Sequence, residues 1–293
     1  MSGIFIAIAA GVGFGVFQAI NRRVNQEIDA YRSTFLVLSV GSALVIVWTI
    51  ATQDLALLEE APPVSYLAFA AAGVLHFFIG WTLLSLSQQR LGAAGTGAIL
   101  AAIPLIGSLL AAAVLDERLT PVAVLGVVLV TGGIAVISLR RGPGPVRQGV
   151  PWFGLATAVS WGSSPLLIRW GLEGLPSPMI GVSIGLLAAS LVYAIVLLVT
   201  RRRRAAGSIP RDVLRWVLVA GVLVAFAIAM QWIAFDLLTV AIVVTLIQLQ
   251  VPTVIVTAPW LMGSAGERLS PSLLAGAAAV FSGSVLVVLA GTA

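Results

Sequence analysis

The sequence predicts an all-α integral membrane protein in which ten transmembrane helices form two inverted five-helix repeats around a central cavity. Three observations carry that reading. Of the 293 residues, 60 % are hydrophobic and 9 % charged, and mean hydropathy is +1.10. An average soluble domain is about 25 % charged, and a chain of this size has too little polar surface to cover so much apolar area in water. The apolar residues fall in ten runs, each near the roughly 20 residues that span a bilayer as a helix. Finally, the second five runs repeat motifs of the first five.

In chain order the runs cover about 3–21, 33–52, 64–86, 92–115, 120–139, 151–169, 177–200, 213–235, 239–262 and 270–291. The links are short and leave no room for a soluble domain. The first run is not expected to be a cleaved signal peptide, because no positive segment precedes it and Arg22 and Arg23 follow it. All 16 cationic side chains are arginine. Ten spans put Arg22, Arg23, Arg32, Arg90, Arg140, Arg141, Arg147, Arg201 to Arg204, Arg211, Arg215 and Arg268 on one face, against only Arg118 and Arg169 on the other. The positive-inside rule assigns the larger set to the cytoplasm and both termini to the outside. A pI near 10.9, which in a soluble protein suggests nucleic acid, therefore reads as topology, with no nucleic-acid partner. The run Arg201–Arg204 also suits anionic lipid headgroups. Cysteine is absent, which excludes disulfides and thiolate metal sites, and neither a metal nor another cofactor is expected.

Displaced by 150 residues, Glu117-Arg118-Leu119-Thr120-Pro121 matches Glu267-Arg268-Leu269-Ser270-Pro271, and Gly126 and Gly133 meet Gly276 and Gly283. At a displacement of 147, Phe14-Gly15 falls on Trp161-Gly162 and Arg22 on Arg169; at 148, Pro104 falls on Pro252. The chain thus divides into two copies of a five-helix unit, 1–142 and 149–293. Five is odd, so the second copy enters the membrane inverted. Inverted repeats are the architecture of many secondary transporters, whose substrate site lies near the midplane between the repeats.

These features resemble the drug/metabolite transporter superfamily, in particular its ten-helix EamA-type members. The likeness rests on the aromatic-Gly pairs, the prolines of the fourth and ninth runs and the two Glu-Arg-Leu-Thr/Ser turns, and it extends over nearly the whole chain. It implies a bacterial inner-membrane exporter of amino acids and related small metabolites, most like the broad-specificity and aromatic amino-acid exporters. One departure stands out: relatives are commonly drawn with cytoplasmic termini, whereas the arginines here argue the reverse.

Several motif residues have local explanations. Thr120 and Ser270 suit helix N-caps, with Pro121 and Pro271 at the first helical position, where a missing N–H costs nothing. Glu117, Arg118, Glu267 and Arg268 then lie at interfacial depth, as structural or gating contacts. Gly126 with Gly133, and Gly276 with Gly283, each share one helix face and let the fifth and tenth helices approach closely.

Polar groups inside spans are costly and should face a cavity or one another. Phe14, Gln18 and Asn21 share a face of the first helix, and Trp161 and Ser164 take the equivalent face of the sixth. His76 and Trp81 stand on the third helix, Thr96 and Pro104 on the fourth, and Gln231 on the eighth. Thr245, Gln248 and Pro252 share a stripe of the ninth, while Gln250 points roughly the other way. The prolines free backbone carbonyls toward a polar cavity.

No Asp or Glu falls inside a span, Asp236 sitting at the outer interface. This argues against a carboxylate that alternates between proton and cation, and the resemblance sharpens the point, since four-helix relatives carry such a glutamate in their first helix. The expected substrate is a zwitterionic or neutral solute, held by amides, hydroxyls and aromatic faces during alternating access. Neither a His-Glu-x-x-His zinc motif nor a Gly-x-Ser-x-Gly elbow occurs, so no enzyme is expected. A transporter of another small metabolite or drug is the alternative within transport, and a channel or structural membrane protein the alternative class. The protein is expected to work as a monomer.

Overall fold

A computed structural model describes residues 1–28, 30–140, 152–200, 211–262 and 271–291. Glu267, Arg268, Ser270 and Arg201 to Arg204 lie outside the described residues. The described residues form helices joined by short turns: α1 (Ser2–Glu27), α2 (Ala30–Thr52), α3 (Leu57–Glu60), α4 (Pro63–Gly73), α5 (Trp81–Leu100), α6 (Ile103–Val114), α7 (Pro121–Arg140), α8 (Trp152–Gly174), α9 (Pro178–Val199), α10 (Arg211–Leu237), α11 (Val240–Leu246), α12 (Gln250–Met262) and α13 (Pro271–Gly291). A π-helix, Val74–Gly80, joins α4 to α5, and a 3₁₀ turn, Ile247–Leu249, joins α11 to α12. Among the described residues, 7 stretches are long and apolar enough to cross a membrane, and Ile103–Val114 and Pro121–Ile137 are shorter apolar helices. Exposed Leu109, Leu191, Val199 and Phe281 give the outside an apolar surface suited to acyl chains.

The break expected between runs three and four is not a gap in helical structure, because α5 continues through it. The reversal is visible in the side chains instead. Ser87 and Thr96, nine residues apart, share a hydrogen bond of 2.9 Å. On a straight helix they would be about 13 Å apart, so the axis bends sharply between them. Gly154 lies against both Ser87 and Ile99, which confirms that the chain returns.

Proline places the two other interruptions. Its ring clashes with the carbonyl four residues earlier and it donates no N–H. Before Pro104 the helix opens at a turn over residues 101–102, and before Pro252 it tightens into the 3₁₀ turn at Ile247–Leu249. Thr120 caps α7, accepting from the Ala123 N–H at 3.2 Å, with Pro121 first in the helix.

Packing follows a reciprocal scheme. Helix α1 packs on α10 and α12, and α8 packs on α4 and α6; α2 meets α10 and α9, and α9 meets α4. Helices α2 and α9 are joined by hydroxyls, Ser42 to Ser190 at 3.1 Å and Thr49 to Ser183 at 2.8 Å. Between α7 and α13, a Cβ on Gly126 would lie 2.7 Å from the Gly283 carbonyl, and one on Gly133 would lie 2.7 Å from that of Gly276. Numbering rises along one helix as it falls along the other, so the two are antiparallel, and only glycine permits this approach.

Candidate functional site

The π-helix builds the first part of the site. A wider turn loosens the regular backbone ladder, and such turns concentrate at functional positions. Two of its carbonyls accept side-chain hydrogen bonds: Trp161 Nε1 donates to the His76 carbonyl at 3.0 Å, and the Tyr193 hydroxyl donates to that of Phe77 at 3.3 Å. The His76 ring stacks on Trp161, centroids 5.6 Å apart, and its Nδ1 is 2.8 Å from Ser164 Oγ. Gly80 lies so close to the Trp161 indole that a Cβ there would collide with it. Phe77 meets His76 edge-on, Trp81 meets Phe77 edge-on, and Phe17 stacks on Trp81 at 5.9 Å. One aromatic run therefore extends from α1 through the π-helix to α8.

The second part is a chain of amides. Gln18 Nε2 on α1 donates to Gln250 Oε1 at 2.5 Å, and Gln250 Nε2 donates to Gln248 Oε1 at 3.4 Å. Gln18 is exposed, whereas Gln248 is buried. Ideal helical periodicity turns Gln250 away from this stripe, but the structure brings it to Gln248. A 3₁₀ turn advances about 120° per residue instead of 100°, which brings residues 248 and 250 nearer in direction.

The remaining sequence candidates take several positions. Phe14 is buried in the core and Asn21 is half-buried, its Oδ1 enclosed and, among the described residues, without a hydrogen-bond partner. Gln231 is likewise buried, and its Oε1 has no partner among the described residues. Thr245 is buried and donates back to the Ala241 carbonyl at 2.7 Å, while the Thr96 hydroxyl is engaged with Ser87. These two hydroxyls therefore serve the local backbone and the α5 bend. Gly15 abuts Thr253 and the Gln250 carbonyl, and Gly162 abuts Ile106 and Gly107. The two aromatic-Gly pairs thus mark where α1 crosses α12 and where α8 crosses α6, the proline-bearing helices.

Charged groups sit at the ends of the bundle. Glu117 accepts from the Val240 N–H at 2.8 Å and the Ala241 N–H at 3.3 Å, capping α11 across the fold. Arg169 donates to the Phe235 carbonyl at 2.8 Å, at the end of α10. Each charge complements the helix terminus it meets. Arg118 is exposed on the same turn as Glu117.

Three residues of this arrangement carry no distinctive signal in the sequence, and a fourth carries a misleading one. Phe17 and Phe77 looked like ordinary apolar core, and Tyr193 stood alone in an apolar run. Gln250 had a signal, as a costly amide within a span, but the wrong assumed twist.

A helical bundle with an apolar exterior and polar groups meeting inside it is a multi-pass membrane protein. Residues 1–139 match the model of the EamA-like transporter family. No curated protein matches the chain in sequence. A solved crystal structure shares the fold at a TM-score of 0.80 and 18 % identity, covering 99 % of this chain and 98 % of the other. At that identity the likeness speaks for the fold.

Proposed function

We propose that the protein is a secondary transporter that exports amino acids and related small metabolites across the bacterial inner membrane by alternating access. In this reading residues 1–142 and 149–293 are inverted five-helix repeats and both termini face outward. The antiparallel crossing of α7 and α13 supports it, because the repeat carries Gly126 onto Gly276 and Gly133 onto Gly283, and so exchanges the contact Gly126–Gly283 with the contact Gly133–Gly276. The reciprocal packing of α1 and α8, each on the other half, supports it as well.

The single observation that carries the reading is that polar groups from both halves meet across this interface. His76 joins Trp161 and Ser164, and Gln18 joins Gln250 and Gln248. Phe14, Asn21, Trp81, Thr96, Gln231 and Thr245 surround these groups or steady the helices that carry them. A substrate ammonium rests on the aromatic faces by cation–π attraction, and a carboxylate takes the amide N–H groups. The enclosed Asn21 and Gln231 carbonyl oxygens favour a ligand or water that brings donors, since an unpaired buried amide is expensive. Rocking of the halves flexes the helices at the interruptions before Pro104 and Pro252.

The test is counterflow of a labelled amino-acid panel in proteoliposomes. Saturable counterflow is expected, with Trp161→Ala and Gln248→Ala each lowering it at least about tenfold, the scale of one lost buried hydrogen bond or ring contact. Transport unchanged in both folded variants overturns the site. Flux proportional to concentration without counterflow makes the protein a channel.

A further inference from the structure

One charged pocket takes no part in the proposed path. Arg23, Val24 and Glu27 near the end of α1, with Asp212, Val213 and Trp216 near the start of α10, line an open pocket of about 220 Å³ whose three charged side chains are exposed. Val24 and Val213 are buried and form an apolar floor. The Arg23 guanidinium lies over the Trp216 ring, 4.6 Å from its centroid. Among the described residues Arg23 and Glu27 form no ion pair, and Asp212 meets only Arg215, at 4.0 Å with both side chains exposed. Charges of both signs thus line one pocket without neutralising one another.

The depth of the pocket indicates its occupant. The apolar stretch of α1 ends at Asn21, so Arg23 and Glu27 lie roughly 3–9 Å beyond it along the axis. Helix α10 has 27 residues and is roughly 40 Å long, more than the ~30 Å hydrocarbon core, so its ends reach the headgroup layers. Trp216 is the residue type favoured there. Arg23 and Glu27 are turned toward α10, whereas Gln18 is turned toward α12, which separates the pocket from the amide chain.

We propose that this pocket binds the headgroup of a zwitterionic phospholipid bearing a primary ammonium. The ammonium donates to Glu27 and Asp212, and the phosphate meets Arg23. An anionic headgroup without a cation leaves both carboxylates opposed to it. A quaternary ammonium has no N–H to donate, and the Trp216 face that would attract it is covered by Arg23.

The experiment is native mass spectrometry of the purified full chain from micelles holding phosphatidylethanolamine, phosphatidylcholine and phosphatidylglycerol in equal amounts. Phosphatidylethanolamine is expected to be retained about tenfold over phosphatidylglycerol and several-fold over phosphatidylcholine, as charge-assisted hydrogen bonds require. Glu27→Gln with Asp212→Asn is expected to bring the three within about twofold, and Arg23→Gln to weaken both zwitterionic lipids alike. Equal retention of the three lipids by the unaltered chain overturns the proposal, and that comparison needs no variant to fold. A preference unchanged by the double substitution overturns it too. Displacement of the lipid by millimolar phosphoethanolamine would assign the pocket to a soluble zwitterion instead, and the lipid proposal falls.

Discussion

At the scale of single residues, His76 has two separate attachments to α8: its ring bonds Ser164 and its carbonyl accepts from Trp161. The second depends on Gly80, because any side chain there displaces the indole. Gly80→Ala is therefore expected to destabilise the protein by about 1–3 kcal/mol, the usual cost of overpacking. It should also depress transport, both read by thermal unfolding in detergent and by counterflow. A variant with unaltered stability and transport would show that the Trp161 position is not fixed by this contact. His76, Trp161, Ser164, Gln18 and Gln248 were legible in sequence because polar or aromatic groups inside a span must find partners. Which partner each finds depends on helices far apart in the chain, and periodicity carries no such information. The π-helix was equally illegible, since its wider turn arises where α4 and α5 are held against α8 and α9.

At the scale of elements, the Glu-Arg-Leu-Thr turn serves two helices at once. Thr120 caps α7, which follows it, and Glu117 caps α11, more than a hundred residues further along the chain. The local cap was readable from the spacing of Thr120 and Pro121; the remote one was not. Glu117→Gln keeps the size of the side chain and removes its charge. It is expected to cost about 1 kcal/mol of stability and to change the rate at which the α11 end opens during transport. Melting temperature together with counterflow rate checks this, and a rate unaltered despite lower stability would reduce Glu117 to a structural cap. The interruptions before Pro104 and Pro252 were expected as freed carbonyls, and they occur as a turn and a 3₁₀ segment one helical turn upstream.

At the scale of the whole molecule, topology can be tested directly because the chain contains 0 cysteines. A single cysteine at Arg118 and another at Arg90 lie at opposite ends of the proposed bundle. In intact cells, a membrane-impermeant thiol reagent is expected to label Arg118→Cys and to leave Arg90→Cys unlabelled until the membrane is opened. The reverse pattern would invert the orientation argued from the arginines. A cysteine pair, Ser42→Cys with Ser190→Cys, replaces hydroxyls now 3.1 Å apart and is expected to cross-link α2 to α9 on oxidation.

The amino-acid sequence by itself determined the solvent of this protein, the apolar runs and their internal repeat, because composition and spacing are local quantities that a bilayer reads directly. It also determined where helices must start and break, since proline, threonine caps and glycine act on their own backbone. Only the tertiary structure decided that Gln250 joins Gln18 and Gln248, that Glu117 caps the distant α11, and that Arg23, Glu27 and Asp212 share one pocket. Each of those contacts joins groups more than a hundred residues apart or depends on the twist of a distorted turn. Long-range packing sets both, and no local pattern encodes them.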